Sequence, residues 1–175
     1  MTLSLYAATI PTFLQILGST RALIDKAESW RDEKGLSDAE ILGWRLAADM
    51  FPFAAQIHQL IAHSKGAVAA VQVGVFSPDL SSPGATLTEC RVRLDGAITA
   101  LEALQPTTLN DLVGNDMRFE YGEQKMPFTT EEFLFTFSQP NFFFHAATAY
   151  GILRTKGLPI GKMDFMGAIR LNIPA

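Results

Sequence analysis

Residues 133–153 form a run of 21 positions without Asp, Glu, Lys or Arg, yet Pro140, Asn141 and His145 lie within it. A segment this apolar is expected to be buried, and its polar side chains then need partners in the interior. About 20 apolar residues would also cross a bilayer. In that case, however, the polar residues 138–141 would lie in the hydrocarbon centre, where they are costly. The run therefore predicts a buried, kinked helix and no membrane span.

Size and composition predict one domain over residues 1–175. The chain has 175 residues, and 48% of them are hydrophobic, which suffices for a full core. A net charge of −4 argues against a phosphate-binding surface, so nucleic acid is not an expected partner. Cys90 is the only cysteine, which excludes an intramolecular disulfide and a Cys-rich zinc site. Together with an N-terminus that lacks a secretion pattern, this predicts a cytoplasmic location.

The first third of the chain predicts two helices. Apolar residues recur at helical spacing over residues 3–30, where Pro11 marks a kink or a late helix start. Gly35 provides a stop for this helix. Ser37 and Glu40 then have the spacing of a capping box, in which each side chain satisfies a free backbone amide. A short second helix is expected to follow.

Two further helices are predicted in the middle of the chain. The short second helix is expected to end near Ala48. Asp49 is placed to cap the next helix, which reaches about Gly74. After a turn-rich loop, residues 86–89 have a second capping-box pattern, and this predicts a helix that ends before Pro106.

The period then changes to that of a β-hairpin. Residues 117–121 alternate between apolar and polar, residues 122–124 supply a turn, and residues 125–128 can form the returning strand. A third capping pattern at residues 129–132 opens the last helix, which is expected to stop at Gly157.

The expected fold class is therefore mainly all-α: a four-helix bundle with a small β-hairpin before the last helix. Residues 158–175 lack a helical period and are expected to pack as an extended tail. In such bundles, sites are built from side chains that project inward from facing helices. The sequence contains no dinucleotide, zincin or nucleophile-elbow motif, and residues 157–163 fall short of a P-loop.

The histidines are the next candidates for chemistry. His58 and His63 are five residues apart, which places them about 140° apart around a helix, so they cannot easily share one ion. His58 lies away from the apolar stripe and is predicted to be a surface residue. His63 follows Asp49 and Gln56 at intervals of seven, and this polar line either faces the bundle interior or, as we favour, forms a hydrophilic border.

His145 shares a helix face with Asn141 and Thr148 among phenylalanines. A buried imidazole needs a partner, and its pKa should fall unless a carboxylate is near. We favour a core histidine that is hydrogen-bonded to a neighbouring helix.

Three segments resemble a known family: residues 49–52, residues 140–153 and residues 157–165. They are similar to an uncharacterised bacterial domain-of-unknown-function family of the DinB/YfiT-like four-helix-bundle superfamily, and the likeness covers nearly the whole chain. The resemblance implies a four-helix bundle of DinB type that is often dimeric. Its better-known relatives bind a divalent metal through three histidines and include thiol-dependent transferases.

In those relatives, one histidine comes from the second helix and two come from an H-x-x-x-H pair on a later helix. His145 matches the second member of the pair with Asn141 in place of the first, or the first member with Ala149 in place of the second. His63 or Asp49 would come from the other helix. The resemblance therefore implies His145, Asp49, His63 and Asn141 as candidate ligands of a divalent metal ion.

Two functional classes stay open. The first is an enzyme in which Asp49 and His145, with or without His63, hold a divalent ion that activates water or a thiol. The second is a non-catalytic, dimeric bundle that binds a small ligand or partner, with Asp49 and His145 as a buried hydrogen-bonded pair. The consecutive aromatics Phe142, Phe143 and Phe144 favour the second class, because they cover about 200° of the helix and one neighbouring helix cannot bury them all. A symmetric homodimer through the last helix is expected.

Overall fold

The computed structural model describes residues 3–172 and is mainly helical, as predicted. The helices are α1 (Leu5–Lys34), α2 (Asp38–Gly43), α3 (Phe53–Ile61), α4 (Ala67–Val73), α5 (Leu87–Glu102), α6 (Pro106–Asn110), α7 (Thr130–Glu132), α8 (Gln139–Thr155) and α9 (Lys162–Met166). The strands are β1 (Val75–Phe76), β2 (Asp116–Tyr121) and β3 (Gln124–Thr129).

Two π-helical segments join shorter helices into long ones. Ala62–Gly66 connects α3 to α4, and Phe133–Ser138 connects α7 to α8. The backbone stays in the right-handed helical region through the junctions, so each set is one continuous helix. With α1 and α5, these two make the four long helices of the predicted bundle.

Helix α1 begins at Leu5 because the Ser4 side chain accepts a hydrogen bond from the Ala7 amide. Pro11 lies inside the helix, so the alternative of a late start at this residue is wrong. The helix ends at Gly35, which has φ 65°, a conformation that glycine adopts without steric cost.

Two of the three predicted capping boxes form completely. Ser37 with Glu40 opens α2, and Thr129 with Glu132 opens α7. At α5, the Thr86 side chain caps the Glu89 amide, but the Glu89 carboxylate accepts from the Ala85 amide instead. These contacts are local in sequence, which is why the residue spacing predicted them.

The segment between α2 and α3 differs from the prediction. Helix α2 ends at Gly43 rather than near Ala48, and a loop follows. Asp49 is exposed in this loop and does not cap α3, whose N-cap residue is Pro52. The first amide of α3, that of Phe53, instead donates to the Trp44 carbonyl at 2.8 Å.

The β-hairpin is confirmed and belongs to a three-stranded sheet. Strands β2 and β3 pair antiparallel, with Tyr121 opposite Gln124 across a tight turn in which Gly122 has φ 57°. Strand β1, which was not predicted, pairs parallel to β2 in the order β1-β2-β3. At two residues, β1 is too short to produce an alternating pattern in the sequence.

The C-terminal segment is not wholly extended. Helix α9 packs against α1, where Gln15 Nε2 donates to the Met166 carbonyl at 2.8 Å and Lys26 pairs with Asp164. The extended-tail prediction is therefore wrong for these residues, and its last three positions, 173–175, lie outside the described residues.

The core lies between the four long helices. Phe142 of α8 packs on Phe13 of α1 with 4.7 Å between ring centroids, and both side chains are fully buried. Within residues 3–172, no helix combines the length and the apolar character needed to span a membrane. Burial in this core thus explains why residues 133–153 are so apolar.

Candidate functional site

Two of the predicted candidates, His63 and His145, meet in the interior of the bundle. His63 lies on the π-helical segment between α3 and α4, and His145 lies on α8. Their ring centroids are 6.0 Å apart, and the ring planes are inclined by 15°. The residues are only 6% and 7% exposed. The prediction that His63 lies at a hydrophilic border is therefore wrong, because its helix face is turned inward.

Gln56 of α3 holds the His145 ring. His145 Nδ1 and Gln56 Oε1 are 2.7 Å apart, and Gln56 Nε2 donates to the Phe51 carbonyl at 2.9 Å. Because the amide nitrogen is engaged by Phe51, the amide oxygen must face the ring, and oxygen can only accept. Neutral His145 therefore carries its proton on Nδ1, which leaves a lone pair on Nε2. The prediction of a core histidine bonded to a neighbouring helix is confirmed.

A second contact joins the two helices beside the histidines. Ser138 Oγ donates to the His63 carbonyl oxygen at 2.8 Å, in a fully buried position. Ser138 ends one π-helical segment and His63 lies within the other. π-helical turns are rare, and they are frequent at functional sites. The Ser138 hydroxyl joins the two π-helical segments at this point.

The His63 ring is surrounded by aromatic side chains. It lies 5.3 Å from the Phe76 ring and 5.7 Å from the Phe137 ring, between centroids. Its Nδ1 atom is buried and has no hydrogen-bond partner among the described residues. An unpaired buried polar atom is costly, so it indicates a position where a further group can bind.

Burial keeps both imidazoles neutral. It lowers the pKa of His63 to about 4, with a smaller contribution from the nearby His145 ring, and it lowers the pKa of His145 to about 4. The fall in pKa expected for His145 is thus found, and Gln56, a neutral residue, occupies the position where a carboxylate would have raised it.

The predicted contact between Asp49 and His145 does not form. Its side chain is exposed, and the bonded partner of His145 is Gln56, so the predicted buried Asp49–His145 pair is wrong. Asp49 instead lines a small surface cavity of about 210 Å³ together with Phe51, Gln56 and Phe144. Phe144 also contacts the His145 ring edge-on at 5.3 Å between centroids. Gln56, the hydrogen-bond partner of His145, therefore forms part of the wall of this cavity.

Two further positions on α8, Asn141 and Ala149, are less suited to bind a metal ion. Asn141 is half-buried, and its Nδ2 donates to the Phe137 carbonyl at 2.7 Å. Ala149 is buried and has no ligating atom. Asn141 therefore lies one turn before His145, with its amide nitrogen engaged by its own helix.

His58, which was predicted to be exposed, is buried. Its Nε2 lies 3.1 Å from the Asp79 carbonyl oxygen and 3.5 Å from the Asp79 carboxylate. The surface prediction is wrong because the loop after β1 folds over this face of α3. A helix face alone does not reveal such a cover.

The DinB resemblance implies a three-histidine metal site, and the described residues do not provide three such ligands. In the part of the chain that the structure describes, no group of three or more His, Cys, Asp and Glu side chains is arranged to hold a metal ion. The residues therefore do not fit a three-ligand site. What they provide is two neutral imidazoles, His63 and His145, and neutral imidazole is a good ligand for divalent transition metals.

Sequence reasoning recognised both histidines but missed Gln56 and Ser138. Gln56 had a signal, since it lies seven residues before His63 and seven after Asp49 on one polar line. Ser138 had none, because its role depends on a π-helical turn and on a contact that spans 75 positions of the chain.

Comparisons with known proteins give the same architecture. The family described as Domain of unknown function (DUF1993) matches residues 5–166. The crystal structure of a DinB family member protein from Shewanella denitrificans is 30% identical in sequence, with a TM-score of 0.80. That alignment covers 97% of this chain and 96% of the other. No curated protein sequence matches significantly. The chain therefore belongs to the DUF1993 family of domains of unknown function and has the DinB-like helical fold.

Proposed function

We propose that His63 and His145 bind a divalent transition-metal ion at the centre of the bundle, with solvent or an external ligand completing its coordination. The observation that supports this most is the pair of buried imidazoles, 6.0 Å apart between centroids, one of which has an unpartnered Nδ1. Both rings are neutral at pH 7, because burial lowers each pKa to about 4. No proton has to leave before they bind an ion.

Gln56 would act as the group that orients the ligand His145. Metal-binding histidines usually donate their second ring N–H to an oxygen atom, which fixes the tautomer and the ring orientation. The 2.7 Å contact to Gln56 Oε1 provides this arrangement. A bound divalent ion would supply Lewis-acid chemistry to a water or thiol at its open positions.

Asp49 would assist entry rather than bind the ion directly. Its exposed carboxylate lies at the 210 Å³ opening beside Gln56. A negative charge at the mouth of a site raises the local concentration of cations and is screened by salt. We therefore expect Asp49→Asn to lower the affinity for the metal ion by less than tenfold. This effect should be smaller still at high ionic strength, because salt screens the Asp49 charge.

Calorimetric titration with Zn²⁺ and Ni²⁺ tests the proposal. The wild-type protein should bind one ion, and His145→Gln and His63→Gln should each lose at least tenfold in affinity. Glutamine at position 145 can still donate to Gln56, so the fold should tolerate it. His58→Gln is the matched control, since His58 bonds to Asp79 in another part of the protein. Equal affinities for all four proteins would overturn the proposal.

We also propose that a second copy of the chain covers the surface around Phe144, so that a metal ion would enter the opening beside Gln56 before the dimer forms. Of the three consecutive aromatics, Phe142 is buried and Phe143 is half-buried, but Phe144 is 55% exposed. Two more exposed apolar side chains, Phe51 and Leu46, lie in the nearby loop. Exposed apolar patches often mark interaction sites. Light scattering should give a dimer for the wild type and a monomer for Phe144→Asp, and a monomeric wild type would contradict this.

A further inference from the structure

Two hydrogen bonds in the interior join the helix that carries His63 to the helix that carries His145. In the first, His145 Nδ1 donates to Gln56 Oε1 at 2.7 Å. In the second, Ser138 Oγ donates to the His63 carbonyl oxygen at 2.8 Å. His145 is thus held through its ring and His63 through its backbone, each by a residue of the opposite helix.

The spacing of these four residues is the same on both helices. Seven positions separate Gln56 from His63, and seven separate Ser138 from His145. Seven residues make about two helical turns, so the members of each pair lie on one face of their helix, about 10.5 Å apart along its axis. The helices are antiparallel, because Gln56 pairs with His145 and His63 pairs with Ser138. The two hydrogen bonds therefore fix the register of the helices at both ends of the histidine pair.

The tilt of helical side chains brings the two rings together between these hydrogen bonds. In a helix, each Cα–Cβ bond is tilted toward the N-terminus. This tilt directs His63 toward the level of Gln56 and His145 toward the level of Ser138. Because the helices are antiparallel, the two rings approach each other, and their centroids are 6.0 Å apart. The separation of the rings thus depends on the register of the helices.

The His63 carbonyl can accept from Ser138 because it lies in the π-helical segment Ala62–Gly66. In an α-helix, the amide of residue 67 would donate to the carbonyl of residue 63. The Ala67 amide donates to the Ser64 carbonyl instead. The His63 carbonyl is therefore released from its α-helical partner, and the Ser138 hydroxyl takes that place.

Ser138 differs in this respect from Ser64, the residue next to His63. Both serines are fully buried, and both hydroxyls donate to a backbone carbonyl at 2.8 Å. Ser64, however, donates to the Leu60 carbonyl of its own helix, which is a common local contact of serine in helices. Ser64 therefore provides a matched control: a buried hydroxyl beside the same histidine that does not join the two helices.

We propose that Ser138 is a positioning residue of the metal site: its hydroxyl fixes the backbone at His63, so that the His63 ring stays beside His145. This inference rests on the proposed binding of an ion by the two histidines. Gln56 has the corresponding role for His145, through the ring. Residues that orient metal ligands typically contribute about 10- to 100-fold in metal affinity.

Calorimetric titration with Zn²⁺ tests this role. Ser138→Ala should lower the affinity at least tenfold, whereas Ser64→Ala should leave it nearly unchanged. Ser138→Cys keeps nearly the same volume and offers only a weak donor, so it should fold and should also lose affinity. The proposal is overturned if both variants at position 138 bind Zn²⁺ as tightly as the wild type, or if Ser64→Ala loses as much affinity as Ser138→Ala.

An NMR measurement on metal-free protein distinguishes failure of this inference from failure of the proposed function. The nuclear Overhauser effect between ring protons of His63 and His145 reports how close the two imidazoles lie without an ion. It should weaken in Ser138→Ala and persist in Ser64→Ala. If the wild type binds no Zn²⁺, the proposed function fails, but this comparison still decides whether Ser138 positions the His63 ring. An effect of unchanged strength in Ser138→Ala would overturn the role of Ser138.

Discussion

His145 Nδ1 donates a hydrogen bond to Gln56 Oε1 across 2.7 Å, and this contact determines which imidazole nitrogen is free. The orientation of Gln56 is fixed in turn by its bond to the Phe51 carbonyl in the loop before α3. A loop contact, a helix side chain and a histidine on the opposite helix therefore act together. The candidate site depends on this chain of two hydrogen bonds.

Replacing Gln56 should destabilise the protein. Gln56→Leu leaves His145 Nδ1 and the Phe51 carbonyl without partners, and an unsatisfied buried polar group costs about 1–3 kcal/mol. Urea unfolding should therefore show that the free energy of unfolding falls by an amount within or above this range. Gln72→Leu is a matched control, since Gln72 is exposed and bonds only to its own helix, and it should change stability by less than about 0.5 kcal/mol. Similar losses for the two variants would contradict the assigned role of Gln56.

Stability should fall as metal-free protein is acidified through the ordinary range of histidine titration. His63 and His145 have folded-state pKa values of about 4, below the value of 6.5 for the unfolded chain. The unfolded state therefore binds more protons in this interval, and the free energy of unfolding decreases as pH falls from 6.5 toward 4. The loss is at most about 3 kcal/mol per imidazole.

Chemical denaturation between about pH 5 and 6.5 measures this slope, because carboxyl groups contribute mainly at lower pH. The double variant His63→Gln/His145→Gln should show a shallower slope than the wild type. An unchanged slope in the double variant would mean that other groups cause the pH dependence.

The aromatic residues of α8 should differ in their effect on stability. Phe142 is fully buried and packs on Phe13, so Phe142→Ala should cost about 3–5 kcal/mol through lost burial and cavity formation. Phe144→Ala changes the same residue type on the same helix, but at an exposed position, and should cost much less in the monomer. Thermal or urea unfolding at low protein concentration would measure the free energy of unfolding of both variants. A cost at Phe144 equal to that at Phe142 would contradict the packing.

Adding a histidine at position 141 should strengthen metal binding. Asn141 lies one helical turn before His145, so Asn141→His creates an H-x-x-x-H pair on α8. Affinity for Zn²⁺ or Ni²⁺ should rise at least tenfold over the wild type. Adding His145→Gln to this variant should remove the gain. No gain in Asn141→His would show that this position does not face the proposed ion.

The parts of the fold that follow from local chemistry were predictable from the sequence. Ser37 with Glu40, and Thr129 with Glu132, set helix starts through contacts over three residues. The hairpin was likewise visible in the alternation of residues 117–121.

The parts that depend on distant segments were not predictable. His58 is covered by the loop that carries Asp79, 21 residues further along, and no periodicity encodes that cover. The same holds for His145: its burial and need for a partner were predicted from its apolar neighbours, but Gln56 rather than Asp49 is the partner, because the loop before α3 leaves Asp49 at the surface.

The proposed binding of one divalent ion by His63 and His145 can be tested directly in crystals grown with excess Zn²⁺ and measured at the zinc absorption edge. We expect an anomalous peak inside the bundle, about 2.0–2.1 Å from His145 Nε2 and from one nitrogen of His63. Saturating Zn²⁺ with no peak at these two side chains, or with a peak only at surface residues, would contradict it.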